Sequence, residues 1–409
     1  MGQRIIVAGA SLGGLRAAEQ LRAAGWEGEI LVIGEESHPP YNRPPLSKDV
    51  LADPGSPTEA LAKLAFRPRR SATGIQWRLG ARIGSSNFAT RTITLDDGEE
   101  LGFDGLVIAT GLRPARVAVP GPLPGRHVLR SIDDALALHA VLRPGTRVGV
   151  IGSGFIGCES AATAASLGCT VTLVEGRTGP MERPLGPALS SGVREMLSNR
   201  GVECREGVSV VAYRGDGSCT GIELSDGSTV AAEVIIEAVG SDANVEWLQG
   251  NGLDLGDGVE CDRHLRVLAA DGKLVPGVVA VGDIARYPDV RNGSSARRVE
   301  HWATPTDTAK IAAPALVAGL SGQQPADLPA PLPTFWTDIF GTRINGIGSP
   351  AQAEEIRVLE GDPGQPHTGV AVGYYRGNTL IGVVNAGLPA SRHLHYRQLV
   401  LDAGALVTS

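Results

Sequence analysis

Two glycine-rich stretches, each closed by an acid at a similar spacing, are the clearest chemical signals in this 409-residue sequence. Gly9-Ala10-Ser11-Leu12-Gly13-Gly14 follows the apolar run Ile5-Ile6-Val7 and leads into a helical apolar period over 15–24. The next apolar run, Ile30–Ile33, is closed by Glu35, 21 positions beyond Gly14. Gly152-Ser153-Gly154-Phe155-Ile156-Gly157 follows the run Arg147–Ile151 and leads into a helical period over 158–167. The run Thr170–Val174 is then closed by Glu175, 18 positions beyond Gly157. A tight glycine turn between strand and helix lets backbone N–H groups lie against a pyrophosphate at the positive end of the helix. A carboxylate closing the second strand accepts hydrogen bonds from a ribose hydroxyl. Gly9, Ser11, Leu12, Gly13, Gly14 and Glu35 are therefore expected to hold one dinucleotide, and Gly152, Gly154, Phe155, Ile156, Gly157 and Glu175 a second. The first turn carries serine where G-x-G-x-x-G has its second glycine, the position at which the backbone approaches the pyrophosphate. Many βα turns use glycine for packing alone, and the register of strand, helix and acid is what separates these two from that reading. Glu175 accepts from a free 2′-hydroxyl and repels a 2′-phosphate, which favours NADH over NADPH, although Arg177 softens the repulsion.

Other residues fit around these turns. Pro44-Pro45 stiffens the segment after Glu35, so Arg43 and Lys48 sit on a loop rigid enough to hold them against a bound ligand; a solvated loop with chance cations is the alternative. The strand Val278–Val281 runs into Gly282-Asp283, where a helix is expected to start. Asp283 would accept from a ribitol hydroxyl while the helix N-terminus faces phosphate, a role compatible with simple capping. The five cysteines, Cys158, Cys169, Cys204, Cys219 and Cys261, show no C-x-x-C spacing, and none precedes Cys158. The eight histidines form no H-x-x-x-H pair, so no metal site is expected.

The elements that position these residues follow a βαβ pattern in two rounds, so the fold class expected is α/β. Two Rossmann-like dinucleotide-binding domains precede a small C-terminal α+β domain. The chain is divided into 1–112, first part of one dinucleotide domain; 113–240, the second dinucleotide domain; 241–324, the return to the first; and 325–409. Within this frame Ile75–Gly80 and Ala81–Ile83 read as strands, Arg91–Leu95 and Leu101–Phe103 as a hairpin about Asp97-Gly98, and Gly105–Ala109 as a buried strand. Arg183 to Gly201 reads as a loop leading into a helix. Gly207–Tyr213, Gly221–Leu224 and Val230–Ile236 read as strands, and Ala238-Val239-Gly240 closes the second dinucleotide domain, with Gly240 at its site. Pro305 opens a helix through Leu316. Phe335–Ile339, Arg343–Gly348, Ile356–Glu360, Gly369–Tyr375 and Thr379–Val384 read as strands, and Pro389–Leu401 as a helix. A net charge of −7 argues against a general nucleic-acid binder, and no apolar run approaches the ~18 residues of a membrane span. A cytoplasmic protein is expected.

Tyr41-Asn42-Arg43-Pro44-Pro45-Leu46-Ser47-Lys48, directly after such a βαβ unit and its acid, resembles the FAD-dependent, NADH-dependent ferredoxin reductases, which serve cytochromes P450 and aromatic-ring dioxygenases. Ala109-Thr110-Gly111, Gly282-Asp283-Ile284-Ala285, Arg298-Val299-Glu300-His301-Trp302 and Phe335-Trp336-Thr337-Asp338 resemble further segments of that family. The resemblance implies two cofactors, FAD at the first turn and NADH at the second. It implies that Arg43 and Arg130 contact FAD, that Lys48 and Trp302 lie beside the flavin, and that Trp336 lines its edge. It implies that Glu159 approaches the nicotinamide and pairs with Lys48; a carboxylate stabilising the N-terminus of its helix is the plain alternative. Packing is the alternative for both tryptophans. Lys48, Glu159 and Trp302 are the catalytic candidates. The chain departs from the family at Thr304-Pro305 and Thr308-Ala309, where Asn-Ala and Gln-Gly are usual.

The absence of an early cysteine argues against the disulfide reductases, peroxidases and oxidases built on the same double fold. The expected activity is hydride transfer from NADH to FAD, followed by single-electron transfer to a small iron–sulfur ferredoxin or a rubredoxin. Two alternatives stand beside it: an NADH-dependent reductase of quinones or oxygen with no protein acceptor, and a redox-controlled interaction protein similar to apoptosis-inducing factor. An acidic ferredoxin needs a basic docking face, for which Arg291, Arg297, Arg298, Lys310 and Arg343 are candidates, with scattered solvated charge as the alternative for each.

Overall fold

A strand that is apolar on both faces must be covered on both, and Arg4–Ala8 is such a strand: Ile5, Ile6, Val7 and Ala8 are all fully buried. In the computed structural model, which describes residues 3–69, 72–177, 179–289 and 293–405, it lies inside a six-stranded sheet. The order is Arg266–Leu268, Leu274–Ala280, Gly105–Ile108, Arg4–Ala8, Glu29–Gly34, Ile75–Leu79, and every pairing except the outermost one at Arg266–Leu268 is parallel. Helix Leu12–Ala23 packs against helix Thr304–Leu320. These elements form one of two compact units, residues 1–42, 64–113 and 242–333.

The other unit comprises residues 43–63, 114–241 and 334–409. Its parallel sheet runs Val202–Glu206, Thr170–Glu175, Arg147–Ile151, Val234–Glu237, Arg126–His127. An antiparallel sheet of five C-terminal strands, in the order Thr334–Ile339, Thr342–Gly348, Thr379–Ala386, Val370–Arg376, Glu355–Glu360, is covered by helix Ala390–Ala405. Its first strand packs on helix Phe155–Ser166, the Phe335 ring lying 5.2 Å from that of Phe155.

The strands of the two βαβ units and all five C-terminal strands form where the sequence places them, within a residue or two at each end. Several expectations need correction. Both dinucleotide helices begin three residues early, at Leu12 and Phe155, so the last glycine of each turn lies inside the first helical turn. A first-turn N–H has no intrahelical partner, and the helix is free to start as soon as the chain leaves the strand. The helix expected late in Arg183–Gly201 runs Glu182–Ser198, interrupted at Gly186, whose φ is 74°, and Pro187. Val230–Ile236 is two strands in two sheets, Thr229–Ala231 and Val234–Glu237. Ala81–Ile83 is not a strand; the strand is Ile83–Asn87. No helix follows Gly282-Asp283: Ala285–Asp289 is a strand antiparallel to Ser294–Arg298, and Pro288 would break a helix in its second turn. The Val202–Glu206 strand went unread because its charged Glu203, Arg205 and Glu206 mask an edge position in a parallel sheet.

Candidate functional site

In the first unit, Gly9 has φ 117°, and a Cβ on it would come within 2.1 Å of the Ala109 carbonyl oxygen. A Cβ on Gly14 would come within 1.8 Å of the Gly9 oxygen. Both glycines are thus required by the protein's own packing. Ser11 sits at the helix N-cap in extended conformation (φ −93°, ψ −159°), and its side chain makes no capping bond. Glu35 lies just past the end of Glu29–Gly34, largely exposed, with its Oε1 4.0 Å from Arg82 Nε.

Asp283 follows Gly282, whose N–H donates to Thr308 Oγ1 at 2.9 Å, while Thr308 Oγ1 donates to the Thr304 carbonyl at 2.6 Å. The helix N-terminus beside Asp283 is therefore that of Thr304–Leu320, tied on by Thr308, one of the residues that depart from the family pattern. Trp302 is 42% exposed, which sets aside a core role, and its Nε1–H donates to Asn42 Oδ1 at 2.9 Å. Burial, with Arg297 nearby, pushes the His301 imidazole down to about 4.

The second unit repeats the turn. Gly152 has φ 94°, and its Cβ would meet the Ala238 oxygen at 2.3 Å; that of Gly157 would meet the Gly152 oxygen at 1.9 Å. A Cβ on Gly154, by contrast, meets no atom within 4 Å. The space in front of Gly154 and the first turn of the helix fits a pyrophosphate. Ile156 is 44% exposed on that turn. Glu175 is locked under the loop: Oε2 accepts from Ser153 N at 2.9 Å and Ser153 Oγ at 2.7 Å, and Oε1 from Arg177 N at 3.1 Å. Gly240 has φ 116° and open space around it.

The same unit brings Lys48 and Glu159 together across 111 positions of sequence, Nζ to Oε2 at 2.6 Å. Lys48 stands at the end of a 3₁₀ turn, Pro44–Ser47, and its Nζ also donates to the Pro44 carbonyl at 3.0 Å. Glu159 is the fifth residue of its helix, whose first turn holds no acid, so the capping alternative falls away. Two hydroxyls that sequence reasoning missed complete the cluster: Ser47 Oγ donates to Oε2 at 2.5 Å and Thr337 Oγ1 to Oε1 at 2.6 Å. The Trp336 ring centroid lies 4.8 Å from Lys48 Nζ and 3.6 Å from the Arg343 guanidinium carbon. Burial lowers the Arg343 pKa, with Asp338 and Glu159 opposing. Arg43 Nη1 donates to the Arg130 carbonyl at 2.6 Å, which seats both arginines at one place.

The docking candidates fare differently. Arg297 pairs with Asp289 and Lys310 with Asp307, while Arg298 pairs with Asp257 and Glu300, so none of the three is spare positive charge; Arg291 lies outside the described residues. All five cysteines are free thiols, four of them buried. No helix among the described residues is long and apolar enough to cross a membrane, and no group of three metal-ligating side chains occurs among them.

Two dinucleotide turns on two parallel sheets, with a third, antiparallel sheet at the C-terminus, define a two-cofactor oxidoreductase of the pyridine-nucleotide type. Residues 3–309 match the family model described as pyridine nucleotide-disulphide oxidoreductase, and the chain belongs to that family. It is 36% identical over 361 residues to the ferredoxin–NAD(+) reductase component of the p-cumate 2,3-dioxygenase system of Pseudomonas putida, covering 88% of this chain and 84% of that one. It is 29% identical over 407 residues to putidaredoxin reductase of Pseudomonas putida, covering 97% and 92%. Among solved structures, the covalent putidaredoxin reductase–putidaredoxin complex superposes with a TM-score of 0.86 at 28% identity, covering 97% of this chain and 93% of that one.

Proposed function

We propose that this protein is an FAD-dependent NADH:ferredoxin reductase, whose acceptor is a small iron–sulfur ferredoxin or a rubredoxin serving a cytochrome P450 or a ring-hydroxylating dioxygenase. One observation carries the reading: two dinucleotide turns accompany a lysine paired with a buried carboxylate, and no cysteine precedes Cys158 to act as an internal disulfide. FAD, when bound, accepts a hydride from NADH and releases electrons singly. Gly9 to Gly14 present helix-start amides to its pyrophosphate, Glu35 takes a ribose hydroxyl, and Asp283 takes the ribitol. Arg43, Arg130, Lys48 and Trp302 complete the contacts with it. Gly152 to Gly157 and Gly240 make room for NADH, and Glu175, already oriented by Ser153, receives the 2′-hydroxyl. Glu159 holds the Lys48 ammonium in place, so that the charge beside the reacting centre is fixed before substrate arrives. The domain division at 112, 240 and 324 and a cytoplasmic location belong to the same reading.

The test is the visible spectrum before and after anaerobic NADH, followed by addition of ferredoxin and cytochrome c. Yellow protein bleached by NADH, with cytochrome c reduction that depends on ferredoxin, is expected. Colourless protein that stays colourless with added FAD would overturn the reading. Bleaching reversed equally well by quinone or oxygen, with no gain from any ferredoxin, would transfer the activity to the first alternative.

A further inference from the structure

The Lys48–Glu159 pair is held by one strand of the C-terminal sheet, through both of its partners. In Thr334–Ile339 the inward positions are Phe335, Thr337 and Ile339, all buried, and Phe335 and Ile339 belong to the apolar core. Thr337 is the only hydroxyl in that row, with no exposed surface, and valine would match its shape among the same neighbours. Its Oγ1 instead answers Glu159 Oε1, the carboxylate oxygen that Ser47 and Lys48 leave, since both of those bond Oε2. From the alternate set of positions, Trp336 turns its ring toward Lys48.

The terminal torsion of a glutamate is broad, so the carboxylate does not fix its own plane. A buried oxygen without a donor costs about 1–3 kcal/mol, enough to turn the group toward another partner. Lysine is also a deliberate choice here: the chain carries its positive charge on 33 arginines and only four lysines. An ammonium is a compact donor on a flexible stem, without the planar fork that orients a guanidinium, so its position is set by what receives it.

We propose that Thr337 is a positioning residue for Lys48: by bonding Oε1 it fixes the carboxylate whose Oε2 receives the ammonium. The inference rests on the function proposed above for what Lys48 does there, and it makes the C-terminal sheet part of the reaction geometry. Arg343, above Trp336, faces the pair.

The experiment compares wild type, Thr337→Val and Thr337→Ser, each loaded with FAD. A pulse of an activated acetyl ester is followed by mass spectrometry of each lysine. Lys273 and Lys310, 83% and 53% exposed, are internal controls beside Lys63. Lys48 should label about tenfold faster in Thr337→Val with the controls unchanged, and the serine variant should restore the slow rate. In stopped flow, bleaching by saturating NADH should slow about tenfold in Thr337→Val, with its NADH concentration dependence unchanged. Lys48 labelling at the wild-type rate in a Thr337→Val protein that melts normally would overturn the inference. Should the valine variant not fold, Thr337→Ala against Thr337→Ser differs only in the hydroxyl and decides the same point. Wild-type protein that NADH does not bleach would defeat the functional reading while leaving the labelling result to judge Thr337.

Discussion

The glycine turns of the two units solve one backbone problem in the same way and differ where the ligand is expected. Gly9 and Gly152 both take positive φ, and each would drive a Cβ into the carbonyl of a neighbouring strand end, Ala109 or Ala238. Gly14 and Gly157 both press on the oxygen of the first glycine. The middle position alone is free of the protein: Gly154 has open space before it, and Ser11 stands in its place in the first turn without strain, its φ being negative. The outer glycines are thus demanded by the fold and the middle one by whatever lies outside it. The acids diverge as well. Glu175 is locked to Ser153, whereas Glu35 stands in solvent.

The largest effects should come from the positions the two turns share. Gly14→Ala and Gly157→Ala each place a methyl carbon under 2 Å from a backbone oxygen, and each should cost roughly 3 kcal/mol or more of stability, read as a lowered denaturation midpoint. If either is tolerated, that turn is not held by packing and the parallel fails. Acid should separate the units next. The His301 imidazole, in the first unit, is pushed from 6.5 down to about 4. The unfolded chain takes up its proton as pH falls through 6.5 and the folded chain only near 4, so stability is lost across that window, by on the order of 3 kcal/mol. Denaturation from pH 7 to pH 4 should show this slope, and His301→Gln should flatten it.

Gly154→Ala should leave the melting temperature unchanged, because its methyl meets no protein atom within 4 Å, and should weaken NADH binding about ten- to a hundredfold if the proposed pyrophosphate site lies there. Weakened folding with unchanged NADH affinity would reverse the assignment of the middle position. Glu175→Gln breaks charge-assisted bonds inside the protein and should lower stability by about 1–2 kcal/mol as well as NADH affinity. Glu35→Gln should leave the melting temperature untouched and act, if at all, on FAD retention alone.

What the sequence made legible follows the range of the interactions. Both turns were readable because strand, glycines, helix and acid lie within 35 residues of one another and each obeys a local rule. The five C-terminal strands, each a short run read on its own, were legible in the same local way. The pairing of Lys48 with Glu159 spans 111 positions and came through family resemblance, since nothing near either residue points to the other. Thr337 left one faint signal, a hydroxyl at an inward position between Phe335 and Ile339, where a polar side chain implies a buried partner. Thr308 left none, because its bond to Gly282 depends on how a distant helix docks. The false helix after Asp283 came from weighing a capping residue above Pro288, five positions further on.

Ser11→Gly is the smallest expected change and the sharpest use of the comparison. It makes the first turn identical in pattern to the second. Glycine at an N-cap costs only a few tenths of a kcal/mol relative to serine, and here there is no capping bond to lose, so stability should hardly move. Two outcomes then differ in meaning. If FAD affinity is unchanged, the serine hydroxyl stands clear of the pyrophosphate and the first turn simply tolerates a Cβ that the second would not. If FAD binds more weakly, the hydroxyl itself donates to the cofactor, and the first turn has replaced a close backbone approach with a side-chain hydrogen bond. The reciprocal Gly154→Ser separates these cases: loss of NADH affinity as large as in Gly154→Ala means that shape decides, and partial recovery means that a hydroxyl at this position can serve a pyrophosphate.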